Sequence, residues 1–123
     1  MSFDWSDFLP LAEDLTAAGP DANREAYLRT AISRAYYAAF GVGRQRARGA
    51  RLATRRSAAE HGEIAAFYTK QYGETGEKIA ITLGRLRNRR NAADYDDDFV
   101  DIEDICLLSI EDARDLLRIL ATL

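Results

Sequence analysis

Apolar residues recur along the chain at intervals of three and four positions, and no stretch alternates strictly between apolar and polar side chains. That period is helical, so the pattern predicts an all-α chain. Five segments stand out. The first spans about Ser2 to Ala18, with Phe3, Phe8, Leu11, Ala12 and Leu15 at helical spacing. Pro10 interrupts it: either Asp7 caps a helix that starts at Phe8 and places Pro10 in its first turn, or the helix kinks there. Gly19-Pro20 is a stop, with Gly19 as the expected left-handed C-terminal residue. The second segment, about Asp21 to Arg48, puts Leu28, Ala31, Ile32, Ala35, Tyr36, Ala39 and Phe40 on one stripe, with Asp21 or Asn23 available as its N-cap. Gly41 and Gly43 inside it mark close packing against a neighbour, or a bend. Gly49 to Arg56 reads as loop.

The third segment opens on Ser57-Ala58-Ala59-Glu60, the spacing of a capping box, and ends near Tyr72-Gly73. The fourth follows Thr75-Gly76, carries Ile79, Leu83 and Leu86 on one face, and runs into the charged stretch Arg85 to Asp94. The fifth, about Asp101 to Leu123, is expected to face a core with Ile102, Ile105, Leu108, Leu116, Leu117 and Leu120. Helices joined this closely describe an antiparallel bundle of four to five helices. The 123 residues make one domain, 1–123, long enough to bury a core without disulfide or metal.

Composition narrows the chemistry. A single cysteine, Cys106, excludes an internal disulfide and a cysteine-built zinc site. It sits on an apolar helix with no basic neighbour and reads as an inert core thiol. A single histidine, His61, excludes a histidine-rich metal site and any scheme needing two histidines in one chain. No metal and no cofactor is expected. The N-terminus carries Asp4 and Asp7 and no early Lys or Arg, unlike a secretory signal, and the uncharged stretch Ala35 to Gly43 is too short to span a bilayer. The expectation is a cytoplasmic protein with no membrane partner.

Charge is unevenly distributed around a net value of −3. From Arg44 to Arg90, twelve basic residues stand against four acids, whereas from Asp94 to Asp115 ten acids face only Arg114. A basic middle beside an acidic third points to a polyanion on one surface or a protein of opposite charge, while the Arg44 to Arg56 cluster taken alone reads equally as a solvated face.

Two segments go beyond pattern. Thr30-Ala31-Ile32-Ser33-Arg34-Ala35-Tyr36-Tyr37-Ala38-Ala39-Phe40 lies in the second helix. Leu83-Gly84-Arg85-Leu86-Arg87-Asn88-Arg89-Arg90-Asn91-Ala92-Ala93-Asp94-Tyr95-Asp96 ends the fourth. Together and in this order they resemble the HEPN superfamily, over essentially the whole chain. That resemblance implies a compact helical bundle, a homodimer, and for many members metal-independent ribonuclease activity. Such members act as toxins paired with a small nucleotidyltransferase antitoxin, or in defence systems. The family signature is an Arg with a polar residue directly after it and a His four to six residues on, two copies meeting across the dimer to form one cleft. Arg90 matches the Arg and Asn91 the polar residue, but Tyr95 stands where the signature has His, and no His lies between Arg85 and Leu123.

RNA cleavage through its own 2′-hydroxyl needs a base, an acid and a cation for the phosphorane charge. Arg90 suits the cation role. Tyr95, with an ordinary pKa near 10, is a poor base but a usable acid or phosphate donor, and Asp94 is a weak base. Arg90 and Asp94 also stand at i, i+4, the spacing of a simple helix ion pair. Arg34, Arg87, Arg89 and Asn91 are the candidate RNA-binding residues around this centre, or else a solvated charged face. Arg34 lies in the apolar run, so it is expected to be largely buried and paired with Asp94 or one of Asp96 to Asp98, or to line the same cleft as Arg90. Of Tyr36 and Tyr37, one belongs in the core, and the other is a core or dimer contact or a ring that stacks on a base. His61 is either structural or imported into the cleft in place of the missing histidine.

Three functions follow. The first is a protein that acts on RNA or binds it, with a degenerate or weak ribonuclease site, since the Arg side of the site is present and the His side is not. The second is a non-catalytic dimeric interaction module, such as the partner of a nucleotidyltransferase. The third, a helix-turn-helix DNA binder, fits poorly because the charged stretch ends a helix instead of starting one.

Overall fold

Pro10 falls at the third position of α1 (Phe8–Ala18), where the absent N–H has no helical partner to lose. Asp7 takes the N-cap place but makes no capping bond with its side chain. Before it, Trp5–Asp7 form one 3-10 turn whose start is capped by Asp4, the carboxylate accepting from the Ser6 N–H at 3.0 Å. Gly19 departs from the left-handed cap expected of it, with φ −58 and ψ 108, because Pro20 behind it favours extended backbone. The computed structural model describes residues 2–123 and is all-helical, with no strand among them.

A further 3-10 turn, Asp21–Asn23, leads into α2 (Arg24–Gly49), the helix on which all the others pack. Its buried face is built from small residues, Ala31, Ala35, Ala38, Ala39, Gly41, Gly43 and Ala47, between the larger Leu28, Ile32, Tyr36 and Phe40. The small ones let neighbouring helices approach, and the large ones fill the space between. Gly43 meets α3 directly: the buried Tyr68 hydroxyl donates to its carbonyl at 2.6 Å. Burial pushes the Tyr68 hydroxyl up to about 12, so it stays a donor.

The predicted third and fourth helices form one helical run, α3 (Glu60–Tyr95), broken only at Gly73, where φ 57 and ψ −128 suit glycine alone. Beyond the break the second limb folds back on the first. A Cβ added at Gly76 would stand 1.7 Å from the Tyr68 carbonyl oxygen. The capping box expected at Ser57 does not form. Glu60 turns its carboxylate to Arg44 and Arg48 of α2 instead, and the N-cap of α3 is Ala59 with no side-chain bond. Two guanidiniums outweigh one backbone N–H as partners for a carboxylate.

The last helix, α4 (Ile102–Ala121), buries Cys106, Ser109, Ile110, Ala113, Leu116 and Leu120 and partly covers Ile102, Ile105 and Leu117. Leu108 is 44% exposed, against expectation. It lies five residues from Ala113, about 140° around the helix from the buried stripe. Cys106 is buried, 3.4 Å from the Thr16 hydroxyl, and burial raises its thiol above the ordinary value, as befits a core group.

The N-terminal part of α2 fastens two other helix ends. Arg24 pairs with Glu103 and donates to the carbonyls of Thr16 and Gly19, closing α1. Arg29 donates to the carbonyls of Ala93 at 3.1 Å and Asp96 at 2.6 Å, closing α3 at the segment that carries Asp94 and Tyr95. Among the described residues no helix is long and apolar enough to cross a membrane.

Candidate functional site

Four parts of the chain enclose a cleft of about 400 Å3. One wall is an edge of α2 that contributes Tyr36 and Tyr37, then Phe40 and Arg44 on the next two turns, with Tyr36 and Phe40 buried and Tyr37 and Arg44 partly covered. The first turn of α3 adds Glu60 and His61, and its second limb adds Arg87 and Arg90. Trp5 closes one end, and Arg56 to Ala58 of the connecting loop form the rim. The fold-back at Gly73 brings the two limbs of α3 into the same cleft.

The site is cationic. Arg44, Arg56, Arg87 and Arg90 face one carboxylate, Glu60, which is itself 5% exposed and shared between Arg44 at 3.4 Å and Arg48 at 2.8 Å. Arg44 also lies over the rings of Trp5 and Phe40, at 4.7 and 5.5 Å, and its buried Nε has no acceptor. Among the described residues Arg87 makes neither ion pair nor hydrogen bond. With Arg56 on the rim, it is one of two cleft arginines that no partner engages among the described residues.

His61 is partly covered and stacked on Phe40, with ring centroids 5.8 Å apart and planes 14° from parallel. Its Nδ1 stands 2.9 Å from the Tyr36 hydroxyl. Burial, with the positive charge of Arg87, holds the imidazole below its ordinary pKa and therefore neutral at pH 7. Burial in turn raises the Tyr36 hydroxyl well above its ordinary value, so it remains protonated. Tyr36 is thus the core member of the tyrosine pair. Tyr37 is half-buried on the cleft side, its ring flanked by Arg34 at 4.9 Å and Arg90 at 5.2 Å.

The residues singled out in the sequence separate into three groups. Arg90 and Arg87 line the cleft. Arg90 pairs with Asp94, Nε to Oδ2 2.9 Å, and donates from Nη1 to Asn91 at 2.8 Å. The angle at Nε is too poor for a hydrogen bond, leaving that buried N–H without an acceptor. Asp94 and Arg34 line a second depression on the other side of Tyr37, together with Arg29 and Ser33. Tyr95 is 74% exposed and outside both, touching only the edge of the group through Arg90 at 5.8 Å. Arg89 leaves the site altogether, pairing with Asp112 of α4 at 2.8 Å.

Arg34 corrects an expectation. It is half-buried, but among the described residues no carboxylate pairs with it. Its guanidinium rests instead between the rings of Phe8 and Tyr37, at 4.8 and 4.9 Å, and donates to the Ser33 hydroxyl. Aromatic faces supply the negative potential that an acid was expected to supply.

Trp5, Phe40, Arg44, Arg56 and Glu60 escaped the sequence reading as site residues. The Arg44 to Arg56 cluster was one available signal. Gly41 carried another. An added Cβ there would stand 2.3 Å from Trp5 Cγ and 2.5 Å from Trp5 Cβ, so α2 is indented to seat the indole. These atoms are at the root of the side chain, and no rotation of the ring relieves the clash. Gly41→Ala is expected to cost about 1–2 kcal/mol by overpacking and to push Trp5 out of the cleft wall. Trp5 is the single tryptophan, so its emission should shift to the red in the folded variant. An unchanged spectrum would show that the seat tolerates the methyl group.

No family model, curated protein or solved structure matches the chain.

Proposed function

We propose that the protein binds single-stranded RNA in this cleft. The observation that carries the reading is the convergence of four arginines, Arg87 uncommitted among them, on a pocket walled by Trp5, Tyr37 and Phe40. Arginine forks match phosphate oxygens, and aromatic faces accept unpaired bases whatever their sequence. The second depression, with Arg29 and Arg34, continues the cationic surface past Tyr37, as an extended strand requires. The resemblance to HEPN proteins adds RNA as the polyanion, an antiparallel bundle as the fold type, and work as a toxin or defence component as the setting. A homodimer belongs to the same proposal.

The test is anisotropy of a labelled single-stranded RNA at two salt concentrations. With about three phosphates engaged, each contributing about 0.7 to the slope, affinity should fall about twentyfold between 50 and 200 mM salt. Arg87→Ala should weaken binding and lower the slope by about 0.7.

A second reading is favoured by the segment after α3. Asp96, Asp97, Asp98, Asp101, Glu103 and Asp104 are all exposed around the exposed Val100. Such a surface suits a basic protein partner, of the kind a nucleotidyltransferase antitoxin would provide. RNA binding that is absent, or insensitive to salt, would transfer the case to this reading.

A further inference from the structure

We infer that His61, positioned by Tyr36, is the proton-transfer group of an RNA-cleaving centre in this cleft, with Arg87 as the cation beside it. The inference rests on the RNA reading above. Three features of the cleft point the same way. First, the imidazole is held on two sides, by its stack on Phe40 and by the 2.9 Å contact between Nδ1 and the Tyr36 hydroxyl. Second, Nε2 makes no hydrogen bond among the described residues, and it belongs to a residue that lines the cleft. Third, Arg87 lines the same cleft with no carboxylate of its own, and its charge acts on the imidazole. Burial and the charge of Arg87 keep the imidazole in the neutral form, the form in which it can accept a proton.

The chemistry closes without a further reagent. With Nδ1–H donating to Tyr36 Oη, Nε2 carries the lone pair. It takes the proton of the ribose 2′-hydroxyl as O2′ attacks phosphorus. The P–O2′ bond forms and the P–O5′ bond breaks, while Arg87 faces the negative charge gathering on the phosphoryl oxygens. The imidazolium returns its proton to the departing O5′. The products are a 2′,3′-cyclic phosphate and a 5′-hydroxyl, with no net change in protons. The Nδ1–H bond to Tyr36 is the same in both protonation states, so the ring need not turn during the cycle. This route uses neither Tyr95 nor Asp94, and it fills the acid–base place that the Arg90-Asn91 segment leaves empty.

The experiment compares the unmodified protein with His61→Gln, using a labelled single-stranded RNA and its all-deoxy counterpart in the presence of a chelator. Binding is followed by anisotropy, and products by gel with a cyclic-phosphate assay. The expected result is cleavage of RNA and not DNA, cyclic-phosphate ends, and at least a hundredfold loss of rate in His61→Gln, with affinity changed less than about threefold. RNA that binds but is not cleaved by the unmodified protein, or cleavage undiminished in His61→Gln, overturns the assignment of His61 and leaves the binding reading standing. No salt-sensitive binding by the unmodified protein overturns both.

A second measurement needs no variant. The titratable and charged groups that line the cleft with the ring are Tyr36, Tyr37 and Arg44 from α2, Glu60 beside it, Arg56 from the loop, and Arg87 and Arg90 from the second limb. The imidazole is the side chain among these whose ordinary pKa falls between 5 and 8. Cleavage by the unmodified protein should therefore rise with pH through one midpoint below the ordinary histidine value and then level off. A rate that is flat from pH 5 to 8 overturns the inference.

Discussion

Glu60→Ala is expected to lower the stability of the protein by about 3 kcal/mol, while the folded fraction binds RNA more tightly than the unmodified protein. The two effects have one origin. Glu60 is almost wholly buried and is the carboxylate that Arg44 and Arg48 share. Arg44 is 16% exposed and has an unpartnered Nε already, so removing Glu60 leaves a buried charge with aromatic rings alone. Arg48 is 44% exposed and relaxes into water, which places the cost at the low end of the range for broken buried pairs. In a chain of this size that loss lowers the melting midpoint by roughly 10 °C. The same carboxylate is the sole negative charge in the cleft lining, and its field opposes an incoming phosphate. Its removal should strengthen RNA binding several-fold at low salt, with the gain shrinking as salt screens the site. Glu60→Gln keeps the shape and tests the charge alone. Thermal denaturation and anisotropy check the two halves separately. An unchanged midpoint would contradict the pairing, and weaker binding would contradict a phosphate-seeking cleft.

Most of the helices were legible because each carries its own signal. Pro10, Gly19-Pro20, the apolar stripe of Leu28 to Phe40 and the glycines at 73 and 76 act through neighbours within a few residues, and the boundaries fall close to where those signals put them. Two of the expectations that failed did so where a distant group competed. Ser57 lost Glu60 to two arginines of α2, and Arg34 met rings of α1 and α2 in place of an acid. The site divides along the same line. Arg87 and Arg90 sit in one charged stretch and were found together, but Arg89 between them points to α4 and Asp112. A linear stretch of arginines does not say which face each residue takes. Trp5, Arg44, Arg56 and Glu60 come from four separate segments, and the sequence holds no period or spacing that joins them. His61 could be named as a candidate for the cleft from the want of any other histidine, but not placed there. Its place depends on the fold-back at Gly73, which brings the first turn of α3 beside residues of its last third.

Gly76→Ala tests that fold-back most directly. The added Cβ would stand 1.7 Å from the Tyr68 carbonyl oxygen and 2.4 Å from its carbon, inside any non-bonded distance. Both are backbone atoms, so no rotamer relieves the contact. Tyr68 cannot retreat either, since it is buried and its hydroxyl is bonded to Gly43 of α2. The second limb must move, and it is anchored by the fully buried Ile79, Leu83 and Leu86. The expected cost is upward of about 3 kcal/mol, beyond the usual range for overpacking. Gly84→Ala is the internal control. Nothing lies within 4 Å of a Cβ at Gly84, on the same limb, so there the change should stabilise by about 0.5–1 kcal/mol. Denaturant midpoints that move in opposite directions for the two variants would verify the close approach, and equal midpoints would refute it. The site amplifies the displacement. Arg87 lies eleven residues beyond Gly76, about 16 Å along the helix, so each 5° of hinge opening carries it about 1.5 Å away from His61. A charge-assisted contact to one phosphate does not survive a shift of that size. At temperatures where Gly76→Ala is still folded, its RNA affinity should therefore fall toward that of Arg87→Ala, although residue 76 touches no ligand.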